Sequence, residues 1–178
     1  PVAQSNEKPV PLPPESTAVA QVKAYDPVDA LEQLYDLRTP DSPVTVSLDK
    51  AEVKIGKGKL TFRIQSEKSG YLYILMVGTD KNHIYLLFPN ALDRNNKVTG
   101  GKEISLPRPG WTMTAGGPPG INHFVALVSD HPREFSKVEL SKAGAFSEFS
   151  ALKVESLMRS HSGDSAVLAG TPLCTTTA

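Results

Sequence analysis

The sequence predicts an all-β fold, an antiparallel β-sandwich of immunoglobulin-like kind with a short N-terminal helix, with a small β-barrel as the alternative way of closing the same strands. Three observations carry that expectation. Between Val44 and Ser129 apolar residues recur with a period of two, as in half-buried strands. The segments so patterned are separated by Gly, Pro and Asn turns. No helical pattern falls between them, whereas a parallel sheet needs crossover helices. A length of 178 residues with 39% hydrophobic and 21% charged side chains suits one folded domain with tails.

The elements follow in order. Five of the fifteen prolines lie in residues 1–14, a density that favours extended chain and removes N–H donors, so 1–25 reads as a proline-rich linker. An SH3-type ligand is the other reading that such a proline density allows. Asp26-Pro27 is a helix start, with Asp as N-cap and Pro where its missing N–H costs nothing. Leu31, Leu34 and Tyr35 continue at helical spacing, which predicts a helix over 27–38 that stops before Thr39-Pro40 and Pro43. From Val44 the period becomes two. Val44, Val46 and Leu48 form one strand face, and Leu60, Phe62 and Ile64 the next. The wholly apolar run 71–77 and the run 83–88, joined by a polar turn, predict a hairpin at the centre of the sheet that Pro89-Asn90 closes. Short strands follow at 102–106 and 111–115. Residues 122–129 predict a long central strand with Phe124, Ala126 and Val128 on one face and His123, Val125 and Leu127 on the other. The sandwich domain is thus expected over 26–136. Residues 137–178 lose the pattern and read as an irregular tail packing on the domain through Phe146, Phe149, Leu152, Val154 and Leu157.

Composition narrows the function classes. Nineteen basic residues balance nineteen acidic ones, so the footprint of a nucleic-acid binder is missing. Residues 1–42 carry three Lys/Arg against seven Asp/Glu, a balance of −4, and residues 43–136 twelve against eight, or +4. No apolar run approaches the length of a membrane span, and Pro1-Val2-Ala3-Gln4 has neither the basic nor the apolar part of a signal peptide, which suggests a piece from which something upstream has been removed. Cys174 stands alone and has no ligand-spaced His.

The motifs tested for chemistry read as structure. Ser129-Asp130-His131 holds the residue types of a hydrolase triad, but neighbours on a strand end point apart. In Gly116-Gly117-Pro118-Pro119-Gly120 two prolines remove the donors a phosphate cradle needs, which leaves a shaped turn with room for a cis proline. Gly56-Lys57-Gly58 and Gly100-Gly101-Lys102 miss the P-loop spacing. The Asp93–Lys97 turn has one Asp and no terminal Glu, short of a calcium loop. His83 and His123 have the separation to meet across strands, but the four histidines show no ligand spacing. No catalytic residue, cofactor or metal is therefore expected. Trp111 and Tyr85, with Arg108 in the adjoining turn, are the candidates for binding, as a sugar-stacking or peptide-docking platform.

At Ser69-Gly70-Tyr71-Leu72-Tyr73-Ile74, Leu87-Phe88-Pro89-Asn90, Leu106-Pro107-Arg108 and Gly117-Pro118-Pro119-Gly120 the chain resembles a bacterial domain-of-unknown-function family whose members share a GYLYI strand, an LFPN turn, an LPR step and a PPG turn in that order. Further matches at Asp93-Arg94-Asn95-Asn96, Trp111-Thr112-Met113 and Val128–Phe135 resemble a subgroup found as C-terminal extracytoplasmic regions of membrane-anchored serine/threonine kinases, often beside type VI secretion genes. The resemblance implies a periplasmic or extracytoplasmic, membrane-anchored place, a transmembrane helix upstream and protein partners in the cell envelope. It assigns no activity to Gly70, Tyr71, Phe88, Pro89, Asn90, Pro107, Pro118, Pro119 or Gly120, which read as turn formers and core. A non-catalytic sensing or docking domain is the expectation; a carbohydrate- or peptidoglycan-binding module and a hydrolase with a noncontiguous site are the alternatives.

Overall fold

The computed structural model describes residues 23–174; residues 1–22 of the expected linker, and 175–178, lie outside the described residues. Helix α1 (Pro27–Asp36) begins where the sequence places it, with the Asp26 carboxylate accepting the Val28 N–H at 2.9 Å. Of the expected stripe, Leu31 is buried beside Val28 and Ala30 and Leu34 packs half-buried on the same core, whereas Tyr35 stands out in solvent under the Arg38 guanidinium.

The strands are β1 (Val44–Leu48), β2 (Lys59–Leu60), β3 (Phe62–Ser66), β4 (Gly70–Val77), β5 (His83–Phe88), β6 (Lys97–Val98), β7 (Glu103–Leu106), β8 (Met113–Thr114), β9 (His123–Ser129), β10 (Arg133–Glu134), β11 (Ser141–Ala143), β12 (Phe146–Ser150) and β13 (Thr171–Pro172). Helix α2 (Ala151–Ser160) lies between the last two. All pairings are antiparallel. The main sheet runs β11-β12-β5-β4, with β9 along the other side of β4 and β6 against its first residues. A smaller sheet, β1-β3-β7, packs over one face. The fold is sandwich-like and all-β in character, and no barrel closes among the described residues.

Two cores flank the main sheet. Toward the small sheet lie Phe62, Ile64, Leu72, Ile74, Phe88, Leu106 and Trp111. Toward the helices lie Tyr73, Leu75, Val77, Ile84 and Phe149, covered by Leu31, Phe135, Val138, Val154 and Leu168. Strand β4 therefore buries both of its faces, which is why 71–77 reads as an unbroken apolar run. Each fully buried side chain of this size contributes about 1.5–3 kcal/mol.

Two expectations need correction. The strand at 122–129 is long and faces both cores as its alternation says, but among the described residues it pairs with β4 alone and lies at the sheet's margin. Residues 137–174 are not an irregular tail. Strand β12 bonds to β5 inside the main sheet, α2 packs Ala151, Val154 and Met158 on the back face, and β13 pairs with β10. Leu152, expected as an anchor, is exposed. The helix stripe is built on an Ala and a Met, and β12 spaces its aromatics three apart because Phe146 and Phe149 serve different cores, so neither element shows a clean period.

Candidate docking surface

The Asn90 side chain, 7% exposed, accepts the N–H groups of Leu92 and Asp93 and donates to the Leu87 carbonyl, so Phe88-Pro89-Asn90 is a side-chain-braced turn. The next turn brings Asp93 against the Leu106-Pro107-Arg108 step. Arg108 donates to the Asp93 carboxylate and the Asn95 carbonyl, both at 2.8 Å, and lies over the Phe88 ring; the Trp111 indole N–H donates to the other Asp93 oxygen at 3.3 Å. Two of the three binding candidates thus serve the fold: Trp111 is 9% exposed with its ring against Phe146, and Arg108 is held by its partners. Tyr85 is half-buried beside His83; burial first, then the Glu148 carboxylate, pushes its phenol above the usual tyrosine range.

The other constellations are equally spread out. Ser129 is buried and its hydroxyl accepts the Arg133 Nε–H, while Asp130 and His131 are exposed, so no triad forms. Arg133 also donates to the Ala169 and Gly170 carbonyls, and its backbone N–H to the Tyr73 hydroxyl, which ties the end of β9 to the C-terminal segment. Strand β4 stands between His123, paired with Val77, and His83 on β5. Among the described residues no group of three or more His, Cys, Asp or Glu is placed to hold a metal. Asp26 is pulled below the usual carboxylate range chiefly by its hydrogen bond from Lys81 at 2.6 Å, which joins the acidic lead-in to the more basic core.

The loop 116–122 instead presents Pro118, Pro119 and Ile121 to solvent. Every residue of it is exposed, and Ile121 is 73% so. The loop is nevertheless held in shape. Pro118 follows a cis peptide bond, as the Gly-Pro-Pro run allows. Gly120 has φ +149°, and a Cβ there would overlap the Thr79 side chain, so only glycine fits. The Thr79 hydroxyl donates to the Ile121 carbonyl at 3.3 Å. On the other side the turn 53–58 is bonded to Ala115 through Gly56 and Gly58, and exposed Ile55 lies against Gly117. Lys54, Lys57 and Lys59, all exposed, surround Ile55 along the chain. Ile55 and Ile121 were not among the residues the sequence singled out. The available signal was an isoleucine placed inside a Gly/Pro turn, where no strand or helix can carry it into a core.

Residues 52–132 match a family model described as Domain of unknown function (DUF4384), which supports a bacterial domain-of-unknown-function family for that stretch. No curated protein and no solved structure matches the chain. The matched stretch contains both loops of the exposed surface and every buried residue of the core beneath the small sheet.

Proposed function

We propose that this chain is a non-catalytic docking domain of the cell envelope, which binds a protein partner through Pro118, Pro119, Ile121 and Ile55, with Lys54, Lys57 and Lys59 facing acidic residues of that partner. The observation that carries the reading is a braced loop holding an isoleucine almost wholly in water, an arrangement that contributes nothing to the core and suits an interaction site. The motif resemblance supports the setting: an extracytoplasmic place behind a membrane anchor, linked to a serine/threonine kinase or a type VI secretion component, to which the bound state is relayed. The glycan-binding alternative needs an exposed aromatic face, and Trp111 is covered.

The test is site-specific photocrosslinking in native envelopes, with the probe at Ile121 and, as control, at Leu152, which is as exposed but lies on α2. A discrete protein adduct at 121, absent at 152 and lost with Lys54→Glu/Lys57→Glu, is the expected result. Equal labelling at both positions, retention on peptidoglycan that Ile121→Asp leaves unchanged, or turnover of a hydrolase substrate by the purified chain overturns it.

A further inference from the structure

Strand β1 is the margin of the small sheet, and its bonding to β3 fixes which of its backbone groups face outward. Pro43 accepts from Glu67 and Asp49 donates to Thr61, in the same register that sets Thr45 opposite Gln65 and Ser47 opposite Arg63. The odd-numbered residues therefore spend their N–H and C=O groups on β3, and Val44, Val46 and Leu48 turn theirs outward. Among the described residues no backbone group bonds to these outward donors and acceptors. The same three side chains point to the core face, with Ile64 and Phe62 opposite them, yet Val46 is 42% and Leu48 37% exposed. Natural edge strands are guarded by Lys, Pro, a bulge or an inward charge. Val44-Thr45-Val46-Ser47-Leu48 contains none of these.

The strand is also its own complement. Laid antiparallel on a copy of itself about Val46, it sets Val46 against Val46, Val44 against Leu48 and Thr45 against Ser47. Apolar meets apolar and hydroxyl meets hydroxyl, the pairings that stabilise neighbouring strands. The pairs at Val44, Val46 and Leu48 are those with outward backbone groups, so each exchanges both hydrogen bonds. In the same register Asp49 meets Pro43 and Lys50 meets Ser42, next to Asp41, so no like charges are opposed. The formal net charge is zero, which removes long-range repulsion between copies.

We infer that two copies of this chain associate through β1, antiparallel and two-fold about Val46, joining their small sheets into one continuous sheet. This goes beyond the docking reading and uses none of its residues. Sedimentation equilibrium of the 178-residue chain over a rising concentration series is expected to show the mass moving from 19.1 kDa toward twice that value. Val46→Lys places two ammonium groups opposite each other and is expected to raise the dimer Kd at least ~100-fold. Val46→Pro does the same by removing an outward N–H, and neither variant disturbs the β1–β3 ladder, which circular dichroism and the melting temperature check. With Cys174→Ser, Val46→Cys is expected to form an intermolecular disulfide, whereas Thr45→Cys links only to Ser47→Cys. A mass of 19.1 kDa at every concentration overturns the inference, whether the edge stays bare or the chain's own residues 1–22 shield a thiol at 46. A dimer that survives Val46→Lys without a link at 46 overturns it equally.

Discussion

The two cores on either side of the main sheet are built from different parts of the chain. Every buried residue of the sheet-backed core falls within 52–132, the stretch that matches the family model. The helix-backed core takes Tyr73, Leu75, Val77, Ile84 and Leu86 from that stretch, but its cover comes from α1 and from residues 135–168. The matched stretch therefore holds every buried residue of one core and only part of the other, while β1 and Phe146, which border the first core, lie outside it. Its central hairpin has an apolar back that other segments must hide.

The largest test of this difference is excision. The isolated stretch 52–132 is expected to lose cooperative unfolding and to bind a hydrophobic dye, with its strand content partly kept, because the back of β4 and β5 is stripped whereas the front core loses only its border at β1 and Phe146. A sharp thermal transition and a near-ultraviolet circular dichroism spectrum like that of the whole chain would show that the backing is dispensable. Next come Phe149→Ala and Phe62→Ala, each of which removes a side chain 1% exposed from one core and is expected to cost about 3–5 kcal/mol in urea unfolding. Trp111, the one tryptophan, sits in the sheet-backed core. If the cores form one cooperative unit, its fluorescence reports the Phe149→Ala shift in full; a tryptophan transition left in place would make the helical layer a separate unit.

Asp93→Ala sharpens the comparison from the front. It removes the acceptor shared by Arg108 and the Trp111 indole, and a loss of about 2 kcal/mol is expected, read from the urea midpoint. Asp26→Ala acts on the back, by uncapping α1 and freeing Lys81, and about 1 kcal/mol is expected. Its sign with pH follows from the lowered carboxyl. Stabilisation by Asp26 is present above the unfolded carboxyl pKa of about 3.9 and is lost as pH falls further, through the lower folded value. The gap between the native chain and Asp26→Ala should close under acid, and a gap that widens there would be contrary to this account.

The same division explains what was legible in the sequence. The front half could be read directly, because a strand of the small sheet, with one face on the core and one in solvent, alternates cleanly, as 62–66 does, and because turns announce themselves with Pro, Gly and Asn. The central hairpin was legible for the opposite reason, since burial on both faces leaves an unbroken apolar run. The helical back could be read only at its start, where Asp26-Pro27 supplies an explicit cap. Strand β12 and α2 carry their packing on Phe149, Ala151, Val154 and Met158 amid serines and charges, and such sparse anchors have no visible period until the main sheet is in place to receive them. Trp111 and Arg108 invited a binding role by residue type, and only the position of Asp93 shows them to be bracing. Ile121 was overlooked because alternation identifies what is buried and is silent on an apolar residue left outside.

Because consecutive residues of β4 serve opposite layers, Ile74 the small sheet and Leu75 the helices, the strand has a parity that a change of length would scramble. Deleting one residue between Leu72 and Val77 would transfer every following side chain to the wrong layer, exchanging Ile for Leu and Met for Val across the sheet. Length variation in relatives of this chain should therefore gather in the turns on either side of the hairpin strands and spare this run.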